Sequence, residues 1–159
     1  PIQILLLALD NRIPVTAART LAQSGTKGLA AYVRQVWFRV GVIIIGLALL
    51  FSLGAGLLMQ LAYGDAFRPY AYLVAFYAAN AVLRFVGNPI VAALRAMRDT
   101  HSIFAAHISM GICTLVTVYP FLKYGALTGA AAGITLSYTV WAIHLAIGYR
   151  RRIAEPQTA

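Results

Sequence analysis

The sequence predicts an all-α fold: a polytopic transmembrane helical bundle with four full spans, a truncated N-terminal helix and a basic interfacial helical segment. Three observations predict it. Of 159 residues, 61% are hydrophobic and only 11% are charged, against about 25% charged in an average soluble domain, so water is a poor solvent for this chain. Several apolar runs reach the length a bilayer demands. A hydrocarbon core about 30 Å thick takes about 20 helical residues, because in lipid every backbone group must find its partner within its own segment. Finally, the Lys and Arg residues behind the net charge of +9 collect in alternate connections between those runs.

The elements follow in order. Pro1 to Leu9 is apolar but too short to cross a bilayer, and it lacks the basic start of a signal peptide. It reads as the end of a helix. Residues 1–159 are then expected to be a single membrane domain, a fragment whose missing N-terminal transmembrane part is its partner. From Asn11 to Arg39 the chain is too polar to span. Leu29, Val33, Val36 and Trp37 nevertheless recur at helical spacing opposite Lys27 and Arg34, which predicts a helix lying along the inner membrane surface. Ser24-Gly25-Thr26 is expected to break this segment in two, with Thr26 or Ser24 capping the second helix.

Four spans come next. Val40 to Ala62 carries no charge and is apolar all round. Pro69 to Leu94 is interrupted only by Arg84, Ser102 to Leu122 carries His107, and Tyr124 to Tyr149 carries His144. Tyr and Trp lie near several of their ends, as interfacial belts require. Arg12, Arg19, Lys27, Arg34 and Arg39 precede the first span; Arg95 and Arg98 separate the second and third; Arg150, Arg151 and Arg152 follow the fourth. The other two connections hold only Asp65 with Arg68, and Lys123. Cytoplasmic loops are enriched in Lys and Arg, so this alternation predicts a multi-pass protein with a cytoplasmic C-terminus. The positive charge is read as attraction to membrane lipid at an anionic surface. A nucleic-acid binder would need a basic face on a soluble body, so no nucleic-acid partner is expected.

The chemistry-bearing residues are few. Cys113 is the single cysteine, which excludes an intrachain disulfide and a Cys-based metal site. None of the four acidic residues, Asp10, Asp65, Asp99 and Glu155, sits well inside a span. There is no HExxH, GxSxG or phosphate-loop motif, so no catalytic residue, metal or cofactor is assigned. His107 and His144 suit proton relay by their titration range, and equally suit buried hydrogen bonding.

Arg84 is the most informative position. It lies eleven residues from Arg95, roughly 16 Å along a helix. A centrally placed Arg costs roughly 2.5 to 3.5 kcal/mol, which directs it to a protein interior or a watery cavity. At about 100° per residue, Tyr77, Asn80, Arg84, Asn88 and Arg95 fall in one arc, a polar stripe suited to a cavity wall. The plainer reading makes Asn80 and Asn88 interhelical glue and gives Arg84 a carbonyl or carboxylate partner. Pro89 removes one backbone hydrogen bond, so it is assigned as a hinge, with a fixed bend as the alternative. Gly125, Gly129 and Gly133 form overlapping GxxxG motifs, a signal for close helix packing. A buried cation without a buried anion suits an anionic ligand such as a phosphate or pyrophosphate.

Four pieces of sequence, in this order, carry a family resemblance: PVTAARTLAQSG from Pro14 to Gly25, LAYGDAF closing the uncharged span, NPIVAALRAMRDT from Asn88 to Thr100, and YGALTGAAAGITLSY in the last span. Nearly the whole chain resembles the C-terminal part of a lipid-linked oligosaccharide flippase, of the polysaccharide-biosynthesis branch of the multidrug/oligosaccharidyl-lipid/polysaccharide exporter superfamily. The resemblance implies a protein of two pseudo-symmetric halves in the bacterial inner membrane that moves an undecaprenyl-pyrophosphate-linked oligosaccharide by alternating access. It implies a substrate-binding role for Arg84, with Arg95 and Arg98 near the cytoplasmic mouth. The family commonly has Gly after the RAM element, where this chain has Arg98. Three other readings compete: an organic-cation or drug exporter of the same superfamily, which would need a buried carboxylate; a membrane-embedded glycan or lipid transferase; and a non-transporting scaffold.

Overall fold

The computed structural model describes the backbone of residues 2–154 and the side chains of residues 13–154. The expectations attached to Pro1, Asp10, Arg12 and Glu155 therefore fall outside the described residues. Helix α1 covers Ile2–Leu53 and α2 covers Ala55–Tyr63; a 3₁₀ turn follows at Asp65–Tyr70, then α3 at Tyr72–Ala96 and α4 at Thr100–Ala154. No strand occurs among the described residues. Three helices, Ile13–Leu53 of α1, α3 and α4, are long and apolar enough to cross a membrane.

Two of the long helices are broken. In α1 the break is at Gly25, with φ 63° and ψ −164°, a left-handed conformation that costs glycine little. The break falls inside the Ser24-Gly25-Thr26 segment, but glycine geometry makes it, without the expected side-chain cap from Ser24 or Thr26 among the described residues. In α4 the break is at Ala126, with φ 44° and ψ −125°. There the chain folds back on itself. Thr114 donates to the Ser137 hydroxyl at 2.9 Å, His107 meets Trp141 edge-on at 5.9 Å between ring centres, and Arg152 Nε reaches Asp99 Oδ2 at 2.9 Å. Residue numbers rise along one leg as their partners fall along the other, which is the register of an antiparallel helix pair.

The uncharged run closing α1 passes into α2 with only a local interruption at Gly54. Gly54 N–H donates to the Leu50 carbonyl at 2.9 Å, and Leu58 N–H donates to Gly54 at 2.9 Å, so the helical hydrogen-bond ladder carries across. Gly64, at φ 89°, then turns the chain into the 3₁₀ segment.

Helix α3 lies between the other two long helices, while α1 and α4 share almost no surface. Toward α1, Phe85 packs on Ile44, and the Trp37 indole N–H donates to the Val86 carbonyl at 3.1 Å. Toward α4, Gly87 accommodates the Trp141 ring so closely that no Cβ would fit. The main core joins Ile13, Ala17, Leu29 and Val33 of α1 to Ile90–Leu94 of α3 and to Ala106, Trp141, Leu145 and Tyr149 of α4. The apolar stripe of residues 29–37 is thus packed on protein, with Lys27 and Arg34 exposed. That changes its expected role as a lipid-facing stripe, because α3 and the preceding leg of α1 cover it.

The two ends of the bundle differ in charge. At one end Tyr72, opening α3, accepts from Thr128 beside the α4 turn at 3.0 Å, and Lys123 sits over the Tyr119 and Tyr124 rings. At the other, the close of α3, the two ends of α4 and the basic segment of α1 come together, bringing Arg95, Arg98 and Arg150–Arg152 to the same end.

Candidate functional site

Because α1 and α4 cover opposite flanks of α3, a strip of its circumference is left open, and the polar residues lie on that strip. Asn80, Arg84 and Asn88 are half-buried, with Tyr77 exposed toward one end and Arg95 toward the other. Tyr77 is 71% exposed. Helix α3 runs unbroken through Pro89, which is itself buried, so the stripe keeps its helical register to Arg95. The main-chain breaks in the long helices fall at Gly25 and Ala126.

Arg84 makes no hydrogen bond or ion pair among the described residues. One turn earlier, Asn80 Oδ1 is buried with no hydrogen-bond partner. A buried acceptor left unmade costs about 1 to 3 kcal/mol, and unpaired guanidinium donors in apolar surroundings are costlier still. Such a pair suits a ligand that offers anionic oxygens to Arg84 and a hydroxyl or amide donor to Asn80. Among the described residues the acidic side chains are Asp65 and Asp99, at opposite ends of the bundle, so neither reaches Arg84.

Nearer the basic end, Asn88 and Arg95 line a cleft of about 200 Å³ together with Ile13, Pro14, Val91 and Ala92. Arg84, Asn80, Tyr77 and Arg98 are not part of it. The stripe is therefore divided into a mid-helix polar pair and a separate terminal cleft. Arg98 stands just beyond α3 with φ 58°. Asp99 N–H donates to the Leu94 carbonyl at 2.9 Å and Arg98 N–H to Arg95 at 3.0 Å, the bonding of a Schellman helix end, in which Arg98 occupies the position glycine usually fills.

The glycines divide as well. Gly129 lies so close to the Phe121 carbonyl that a Cβ could not fit, Gly133 faces Phe121 and Thr117, and Gly125 faces open space. The close approach signalled by the GxxxG pattern is thus between the two legs of α4, and Gly125 takes no part in it, since it stands at the turn. Gly87, against Trp141, and Gly148, against Ser102, make similar contacts that no GxxxG pattern marks.

Asp99 is the site residue that the sequence reading passed over. It is 4% exposed and caps the start of α4: Ser102 N–H donates to Oδ1 at 3.1 Å and the Ser102 hydroxyl to Oδ2 at 2.7 Å. Burial pushes its carboxyl up, but the hydrogen bonds from Arg152 and Ser102 outweigh this and hold it below 3.8. An Asp directly before a helix is an N-cap signal; its pairing with Arg152 depends on the fold-back at Ala126, which no local pattern shows. Among the described residues no group of three His, Cys, Asp or Glu side chains gathers as a metal site. No protein-family model, no curated protein and no solved structure matches the chain.

Proposed function

We propose that this chain forms part of a bacterial inner-membrane flippase that moves an undecaprenyl-pyrophosphate-linked oligosaccharide by alternating access. In this reading four spans cross the bilayer, the two legs of α4 counting separately, and the basic end of the bundle with the C-terminus faces the cytoplasm. The observation that carries the proposal is Arg84: a half-buried guanidinium in mid-helix, unpaired among the described residues, on the open strip of α3. A pyrophosphate would satisfy its donors by charge-assisted hydrogen bonds, with Asn80 taking a donor from the adjoining sugar. The open strip would face a second transmembrane half across a central cavity, while Arg95 and Arg98 flank the approach at the cytoplasmic mouth. That no described carboxylate pairs with Arg84 favours an anionic cargo over a cationic one, and the unmet carbonyl of Asn80 favours a cargo that also carries hydroxyl or amide donors.

The test is Arg84→Ala in the intact protein, with membrane abundance measured beside surface glycan. Export is expected to fall at least tenfold at unchanged abundance, and Arg84→Lys is expected to restore part of it by returning the charge without the fork. Wild-type export by Arg84→Ala would remove Arg84 from the mechanism. A covalently altered glycan product in reconstituted vesicles would replace translocation by transfer.

A further inference from the structure

We propose that the cleft between the first leg of α1 and the end of α3 holds the phosphate of an anionic phospholipid that stays with the protein. The inference rests on the helices lying in a membrane and not on the cargo. The cleft has two chemical faces. Arg95 supplies cationic hydrogen-bond donors and Asn88, about two turns earlier on α3, a polar edge, while Ile13, Pro14, Val91 and Ala92 supply an apolar wall. Among the described residues no carboxylate lines it, and Asp99, the one described acidic residue at this end, is engaged by Arg152 and Ser102.

Size and position narrow the occupant. About 200 Å³ is the room of a handful of water molecules at about 30 Å³ each. This admits a phosphate and the first atoms of a glycerol backbone. The cleft lies at the end of the bundle where Arg98 and Arg150–Arg152 gather, and basic pockets between helices at a membrane surface select anionic headgroups. A free phosphate would have no use for the apolar wall; a lipid places its upper acyl carbons there.

The experiment uses the purified intact protein in detergent, titrated with phosphatidylglycerol, phosphatidylcholine or water-soluble glycerol phosphate, with bound molecules counted by native mass spectrometry. Phosphatidylglycerol is expected to bind at least tenfold more tightly than phosphatidylcholine. Arg95→Gln should weaken it about tenfold, the worth of one charge-assisted hydrogen bond, while Arg151→Gln, an exposed cation outside the cleft, should change it less than twofold. Equal losses in the two variants would mean diffuse surface attraction and overturn the proposal, as would no loss in Arg95→Gln or no preference between the lipids. Glycerol phosphate binding as tightly as the lipid would make this a free-phosphate site and overturn it too. Export is not part of the readout, so a failed cargo assay and a failed lipid titration are told apart.

Discussion

Arg152 Nε donates to Asp99 Oδ2 at 2.9 Å across fifty-three residues of chain, joining the last turn of α4 to the residue that caps its first. The partners are unequally placed: the Asp99 side chain is 3% exposed and that of Arg152 is 45% exposed. Removing Arg152 leaves a buried carboxylate with Ser102 alone, whereas removing Asp99 affects a cation that water already reaches. Arg152→Ala should therefore raise the Asp99 pKa, because burial is then opposed by fewer donors. Asp99→Ala should cost about 1 to 2 kcal/mol through the lost cap. The pH dependence follows from the lowered Asp99 pKa. This stabilisation is fully present above about 3.8 and is lost as pH falls through the lower folded-state value. Thermal unfolding in detergent from pH 7 to pH 3, with and without Arg152→Ala, checks both statements.

Arg98 should be replaceable with profit to stability. At φ 58° an L-residue costs roughly 1 to 2 kcal/mol relative to glycine, and glycine's extra unfolded-state freedom returns roughly half of that. Arg98→Gly is expected to stabilise by about 0.5 to 1 kcal/mol, and Arg98→Val to destabilise. A melting temperature for Arg98→Gly below wild type would contradict the helix-end geometry.

Gly87 and Trp141 should behave as one unit. A methyl at Gly87 meets the Trp141 ring, and overpacking of this kind costs about 1 to 3 kcal/mol. Gly87→Ala is expected to loosen α3 from α4, and Trp141→Phe in the same chain to recover part of the loss. Additive losses in the double variant would show that the ring and the glycine do not touch.

The fold-back of α4 can be tested by cross-linking. Thr114 and Ser137 are 23 residues apart, roughly 34 Å in a straight helix, yet their hydroxyls are 2.9 Å apart. With Cys113 replaced by Ser, Thr114→Cys with Ser137→Cys should oxidise to an intrachain disulfide, seen as a shifted band that reductant reverses. Failure to close under mild oxidant, with both thiols open to labelling, would argue for a straight α4.

Apolar length and loop charge made the helices legible, because a bilayer-length run of hydrocarbon has one way to satisfy its backbone. The open strip was legible too: Asn80, Arg84 and Asn88 keep a common face as long as α3 stays helical, and it does. The breaks were harder to read. Proline drew attention to residue 89, yet α3 absorbs it, and α4 turns at Ala126, an alanine with no turn propensity of its own. The seam between α3 and α4 was invisible because one glycine opposite one tryptophan leaves no periodic trace. The pairing of Asp99 with Arg152 was hidden for a related reason: it exists only once the two legs of α4 meet.

The placing of α3 has a mechanical consequence. With α1 and α4 nearly out of touch, any force that rocks one against the other passes through the residues from Phe85 to Leu94, where both neighbours rest on the same few turns. This stretch is the shared support of both flanks. A substitution that thickens it should jam both sides together, while a comparable change on the outer flank of α1 or α4 should disturb its own side alone.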